Sequence, residues 1–164
     1  MASAKRVNSS AERNREPILK VLKEILSSDK PLKALEIASG SGTHVGYFAE
    51  HFRNVTWQPS DLDVKNLPSI TAYKQEHENI LEPIVIDVSE PLPSSMKSSS
   101  FDFILNINMI HISPWSASLG LISNAGQLLQ SMGMKIAMIY LNSCIRTAHY
   151  VWALQFGRNS RARE

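Results

Sequence analysis

The chain has 164 residues, a hydrophobic fraction of 43%, a charged fraction of 20% and a formal net charge of +2. That is enough chain for one ordinary domain with a sizeable core, and the composition is globular. No apolar run approaches the ~18 residues of a membrane span, and a lone cysteine, Cys144, excludes an internal disulfide.

The start, MASAKRVNSSAERNREPILK, lacks an apolar core before a small-residue cleavage site, so no secretory signal is expected, and Glu12 and Glu16 argue against a transit peptide. A cytoplasmic or nuclear location is the expectation. Ile18, Leu19, Leu22, Ile25 and Leu26 recur at helical spacing, with Ser9 or Ser10 as the cap and Glu12 as the capping-box acid. Pro17 belongs in a first turn, so the regular helix is expected to begin there, leaving residues 12–15 on a separate short turn.

LKALEIA then reads as a short buried strand, and SGTHVGYFAEHF opens a helix. NVTWQPSD reads as a second strand ended by Pro59, and KNLPSITAYKQEHE as a helix interrupted early by Pro68. PIVIDV is a third strand, SEPLPSSMKSSS a loop, and FDFILNINMI a fourth strand apolar enough to be buried on both faces. SASLGLISNAGQLL is a fourth helix and MKIAMIYL a fifth strand. Strands alternating with helices predict an open, doubly wound α/β sheet of five parallel strands. Ligands of such sheets sit outside the carboxyl ends of the strands, where the strand order reverses, and the glycine-rich stretch after the first strand lies there.

That stretch, LEIASGSGTHVG, spaces its glycines as Gly40, Gly42 and Gly46, one residue longer than the G-x-G-x-x-G dinucleotide fingerprint. Glu36 at its start would repel a pyrophosphate and attract a cation. Acid, glycine turn and second acid suit a positively charged amino acid joined to a nucleoside better than they suit NAD.

LEIASGSG resembles the first motif of class I S-adenosylmethionine-dependent methyltransferases. AERNREPIL, LEIASGSGTH, WQPSDLD and INMIHISP, in that order over about the first 130 residues, resemble the methyltransferase-like twenty-six group. The resemblance implies a Rossmann-like methyltransferase sheet, S-adenosylmethionine as cofactor and transfer to an unidentified acceptor. It implies that Glu36 anchors the loop and faces the methionine ammonium, and that backbone at Ala38, Gly40 and Gly42 approaches the ligand. It further implies Asp61 for the ribose hydroxyls, Leu62 against the adenine, Asp87 and the Val88 amide for the adenine edge, and Asn106 near the sulfonium. Arg13, Asn14 and Arg15 are implied as an N-terminal lid, whose bland counterpart is a solvated first turn.

Other readings stay beside these. Gly46 reads as a packing residue and Asp102 as a residue that caps or pairs structurally at the base of the fourth strand. Asp87 either meets the ligand or caps the following turn. Trp57 and Trp115 read as packing residues. His44, His51, His77 and His149 show no metal-ligand spacing, so no metal site is expected.

Methyl transfer from a sulfonium needs proximity and in-line alignment, and a base only where the nucleophile must lose a proton. Asn108 and His111, after the fourth strand, are the catalytic candidates; the alternative for His111 is a helix-start contact with backbone. NINM is not the Asn/Asp-Pro-Pro-aromatic motif of nucleobase and glutamine amine methylation, which argues against those substrates.

The C-terminal end departs from the family pattern. Residues 1–129 carry 12 Lys+Arg against 14 Asp+Glu, a balance of −2, while residues 130–164 carry 5 against 1, a balance of +4. The basic end reads as a solvated tail; a nucleic-acid contact would need aromatic interleaving or a known motif. The division expected is a methyltransferase-like domain over 1–141, incomplete at its C-terminal side, and an atypical basic tail over 142–164, as in a variant or truncated member. A fifth strand without its neighbour is an exposed edge inviting self-association through 134–141, with low stability and weak turnover, unless a tail helix over RTAHYVWALQF covers it. The function readings are therefore a methyltransferase of unknown substrate, a non-catalytic variant keeping the cofactor-binding fold, and, with least support, an NAD-dependent oxidoreductase.

Overall fold

The structure is a computed structural model that describes residues 4–26, 30–92, 96, 101–128, 134–141 and 149–156, the last two segments by backbone alone. In chain order it runs α1 (Ser9–Ile25), β1 (Leu32–Ile37), α2 (Thr43–His51), β2 (Val55–Asp61), a 3-10 turn (Val64–Asn66), α3 (Leu67–Lys74), β3 (Ile84–Val85), β4 (Phe103–Ile107), α4 (Trp115–Leu128), β5 (Met134–Leu141) and β6 (His149–Phe156). The strands form one sheet in the order β3-β2-β1-β4-β5-β6. Neighbours from β3 through to β5 are parallel, and β6 pairs antiparallel with β5. The order reverses between β1 and β4, the crevice where ligands of doubly wound sheets bind.

Alternation along the strands divides the core into two layers. Ala34, Phe103 and Leu105 join α1, α2 and α3 on one face through Leu22, Phe48, Trp57 and Ile70. Leu35, Ile37 and Ile104 join α4 on the other face through Leu121, Ala125 and Leu128. Trp57 is fully buried against Phe48 and Phe52, the packing role its sequence position suggested.

Four expectations change. Helix α1 does not begin at Pro17 but at Ser9, capped by Asn8, whose side chain accepts from the Ser10 and Ala11 amides. The proline removes the bond to the Arg13 carbonyl and crowds that carbonyl with its ring, and the buried stripe of Ala11, Ile18, Leu19 and Leu22 holds the helix through it. Strand β2 likewise continues through Pro59. Trp57 on one side of the proline, through its amide and carbonyl, and Asp61 on the other, through its carbonyl, bond toward Asn79, Leu81 and Ile86. The missing Pro59 amide thus faces the outer side of β2, in the gap between the Trp57–Ile80 bridge and β3.

The third change is at the C-terminal end. His149–Phe156 is a strand, not part of a covering helix. Tyr150, Val151, Trp152 and Phe156 favour extended backbone, and the open edge of β5 supplies the partner. Fourth, β5 is bordered by β4 and β6 and is not the exposed edge expected to drive self-association through 134–141. The segment read as a basic tail thereby contributes a strand to the sheet.

Candidate functional site

The parallel strands bring the carboxyl ends of β1, β2, β3 and β4 to one edge of the sheet, and the candidate residues follow them there. Two non-glycine residues on that edge hold left-handed backbone: Ala38, just after β1, and Asn108, just after β4, both with φ of 58°. They flank the reversal point on either side. Strained backbone of this kind costs on the order of 1–3 kcal/mol and collects at binding sites. Across the same crevice the Asn106 amide donates to the Ile37 carbonyl at 3.1 Å, so Asn106, buried, clamps β4 to β1.

The turn between β1 and α2 is built from bonds to β2. The Ser39 amide donates to the Ser60 carbonyl at 2.9 Å, and the Ser60 hydroxyl donates to the Glu36 carbonyl at 2.8 Å. The Gly40 amide donates to Asp61 Oδ2 at 2.7 Å, so the glycine turn and the second acid touch directly. Asp61 Oδ1 accepts from the Asp63 amide at 2.9 Å and from the Asn66 side chain at 3.0 Å. Of the roughly four lone-pair positions of a carboxylate, three are used and about one is left for a ligand.

The glycines differ in what they permit. At Gly40, with φ of +57°, an added Cβ meets nothing within 4 Å; the space beside it is open. At Gly42 a Cβ would meet a Tyr73 ring carbon at 3.0 Å and the Ile70 Cα at 3.1 Å, so this glycine serves α3 packing and its own φ of +84°. Gly46 is a packing residue as expected, pressed on the Tyr73 ring of α3, where a Cβ would lie 2.2 Å from a ring carbon.

Glu36 is the outlier of the site. It is buried, and its Oε2 has no hydrogen-bond partner among the described residues. Burial pushes its carboxyl up to about 8; the Ser39 hydroxyl opposes this and the Asp61 carboxylate adds to it. A buried carboxyl oxygen without a partner is costly and points to a group that completes it.

Leu62, next to Asp61, is 60% exposed, and Val64 beside it is equally bare. Asp87, past the end of β3, accepts from the Ser89 amide at 2.9 Å and from the Ser89 hydroxyl, which hold its carboxyl below its ordinary value. It therefore caps the turn. Val88 is buried, and its carbonyl accepts from the Asn124 side chain of α4 at 3.1 Å. His111 is exposed in the turn after β4. Asp102 pairs with the Lys33 amide at 2.8 Å, the structural role expected of it.

The N-terminal motif only partly reaches this edge. Asn14 Oδ1 accepts from His44 Nε2 at 2.6 Å, and burial pushes the His44 imidazole down to about 4. Arg13 bonds Ser10, and Arg15 lies over the Tyr47 ring. The segment ahead of α1 was not singled out in the sequence, yet it crosses α3. The Arg6 amide donates to Ser69 Oγ at 2.8 Å, the Tyr73 hydroxyl donates to the Arg6 carbonyl at 3.3 Å, and the Arg6 guanidinium donates to Asn66 Oδ1 at 2.6 Å. Asn66 thus links Arg6 to Asp61. Asn66 and Arg6 lie outside the motifs, while Ser39 and Ser60 lie inside LEIASGSG and WQPSDLD without having been singled out.

Residues 5–141 match the family model described as "Protein of unknown function (DUF938)". The chain belongs to the DUF938 family. Among solved structures, this DUF938 chain is similar to the PH0226 protein from Pyrococcus horikoshii OT3, at 20% identity and a TM-score of 0.67, over 85% of this chain and 63% of that one. It is similar to a SAM dependent methyltransferase from Aquifex aeolicus at 18% identity and a TM-score of 0.60, over 81% and 68% of the two chains. A third likeness is to coclaurine N-methyltransferase bound to N-methylheliamine and SAH, at 16% identity and a TM-score of 0.58, over 77% and 36%. The chain thus spans less than two thirds of the first and third of these proteins. The likenesses establish the fold, a Rossmann-like α/β sheet of the kind methyltransferases use.

Proposed function

We propose that this DUF938 domain binds S-adenosylmethionine at the β1–β4 reversal point and acts as a methyltransferase, of the kind represented by the methyltransferase-like twenty-six group. The carrying observation is the buried, unpartnered Glu36 Oε2 beside an open glycine turn that is tied to Asp61. A cationic ammonium would complete the first acid, and the remaining acceptor position of Asp61 suits one ribose hydroxyl. Exposed Leu62 and Val64 give an apolar surface for a purine. Asn106 holds the crevice shut at its base; Ala38, Gly40, Asp87 and the Val88 backbone border it.

The cofactor, when bound, supplies a methyl group on a good leaving group. What the chain supplies is alignment, through Asn106 and the constrained Asn108 backbone, and a proton acceptor at His111 for acceptors that must lose a proton. The exposure of His111 favours a second reading, in which the fold binds the cofactor without turnover. A cytoplasmic or nuclear setting accompanies either reading. The test is calorimetric titration of this chain with S-adenosylmethionine and with NAD. Saturable heat with the first and none with the second is expected; NAD binding, or no binding of either, overturns the reading.

A further inference from the structure

Helix α4 has two apolar faces. One buries Ala117, Leu121, Ala125 and Leu128 against the sheet. The other, about 130° round the helix at 100° per residue, presents Trp115 at 71% exposure, Leu119 at 54% and Ile122 at 42%. Gly126 continues that outer row, and Ile112, 79% exposed, extends it beyond the helix start. From Phe103 to Met134 the sequence holds no Asp, Glu, Lys or Arg. A solvated helix normally carries charge on its outer face, so this one is built to be covered.

We propose that the cover is a second copy of this chain, docked α4 against α4 in antiparallel fashion about a two-fold axis. Such an axis between Leu119 and Ile122 sets Leu119 opposite the partner's Ile122 and Trp115 opposite the partner's Gly126, since both pairs of numbers sum to 241. Large therefore faces small and branched faces branched, the self-complementarity an isologous interface requires. The two glycines of α4 separate this from internal packing. At Gly120 a Cβ would lie 1.9 Å from the Val88 carbonyl oxygen, which explains the residue within the fold. At Gly126 a Cβ would meet nothing within 4 Å among the described residues, although glycine in a helix costs about 1 kcal/mol relative to alanine. A partner's Trp115 seated there accounts for it.

Charge agrees with this occupant. A two-fold axis brings every charge near it against its own copy, and α4 offers none to repel. A polar partner would find no charged groups on α4 to pair with. Two helices of this length cover a strip roughly 21 Å by 10 Å, about 200 Å² per copy and below the ~600 Å² per partner of small specific interfaces, so the dimer is weak and forms only at high protein concentration.

Sedimentation equilibrium of the full chain over a concentration series should show mass rising from monomer to dimer. Leu119→Lys and Ile122→Glu should each stay monomeric at least tenfold higher in concentration, with unchanged far-UV circular dichroism. Because the register sets 119 against 122 of the other copy, an equal mixture of the two variants should regain dimer through a Lys–Glu pair. A parent that is monomeric throughout, a dimer indifferent to both variants, or a mixture no better than either variant alone overturns the proposal. So does parent mass that rises only with lipid vesicles present.

Discussion

The carboxyl edge of the sheet is finished on one side of the reversal point and bare on the other. On the β1–β2 side, Ser39, Gly40, Ser60 and Asp61 are cross-bonded, and Asn66 and Arg6 brace them from behind. On the β4–α4 side, Ile110 stands exposed next to His111, itself exposed. Under the proposed function, the half that would meet an invariant cofactor is organised in advance, and the half that would meet the acceptor takes its shape from what docks on it. Pre-organisation reduces the ordering cost of binding only where the ligand never changes.

The largest expected effect tests how firmly the bare half is nonetheless attached. Gly120→Ala sets a methyl group 1.9 Å from a backbone oxygen that cannot rotate away, so α4 or the 86–90 turn must shift. A stability loss of about 3 kcal/mol in urea unfolding is expected, the upper end of overpacking costs. Gly126→Ala should go the other way by roughly 0.5–1 kcal/mol, the helix-propensity difference. Equal effects at the two glycines would show that α4 is not anchored through Val88.

Asp61→Ala comes next and probes the organised half. Loss of a charge-assisted acceptor is expected to weaken S-adenosylmethionine binding by about 1.5–3 kcal/mol in calorimetric titration. Asp61→Asn keeps an oxygen for Gly40 or for a hydroxyl and should fall between the variant and the parent. Unchanged affinity in a folded Asp61→Ala chain would remove Asp61 from the ligand and leave it as a brace of the turn.

What the sequence made legible was whatever rests on short-range pattern. The β1 strand followed from its short apolar run, the glycine turn from its spacing, and Asp61 at the end of β2 from the family resemblance. Gly46 and Asp102 were correctly assigned to packing and pairing. Pro17 misled because the burial that holds α1 through it is a tertiary fact, and Pro59 because the side of β2 its missing amide would have faced is one. His149–Phe156 misled for a related reason: an apolar amphipathic stretch takes the form its neighbour offers, and β5 offers an edge. Asn66 and Arg6 lie 5 and 55 residues from Asp61 and share only spatial proximity to it. Trp115 was read as packing, yet no described partner covers it.

Glu36 sharpens the comparison through pH. Unfolded, its carboxyl titrates near 4.5; folded, near 8. Between those values the folded state holds more protons, so the Glu36 contribution is full below pH 4.5 and is lost as pH rises toward 8. His44 runs oppositely: its neutral form is buried, and stability is lost as pH falls from 6.5 toward 4. Glu36→Gln should flatten the alkaline loss, so that parent and variant melting curves diverge between pH 5 and 8 and run parallel above it. An ammonium ligand would draw the proton off Glu36, so titrations at pH 7 in buffers of different ionisation heat should register proton release by the parent and none by Glu36→Gln. Identical heats would place the cation elsewhere.

The smallest effect is expected at Arg6. Its guanidinium is exposed and reaches Asp61 only through Asn66, while its backbone bonds to Ser69 and Tyr73 survive truncation. Arg6→Ala should therefore cost only about 1 kcal/mol of stability, for two exposed hydrogen bonds, to the Lys65 carbonyl and to Asn66. Cofactor affinity should fall only a few-fold, because Asn66 loses a support and Asp61 keeps its other two donors. The comparison with Asp61→Ala decides the role of the segment ahead of α1. A small loss means that it braces the finished half from outside. A loss as large as that of Asp61→Ala means that Arg6 meets the ligand itself, and that the organised half extends across α3 to the N-terminal segment.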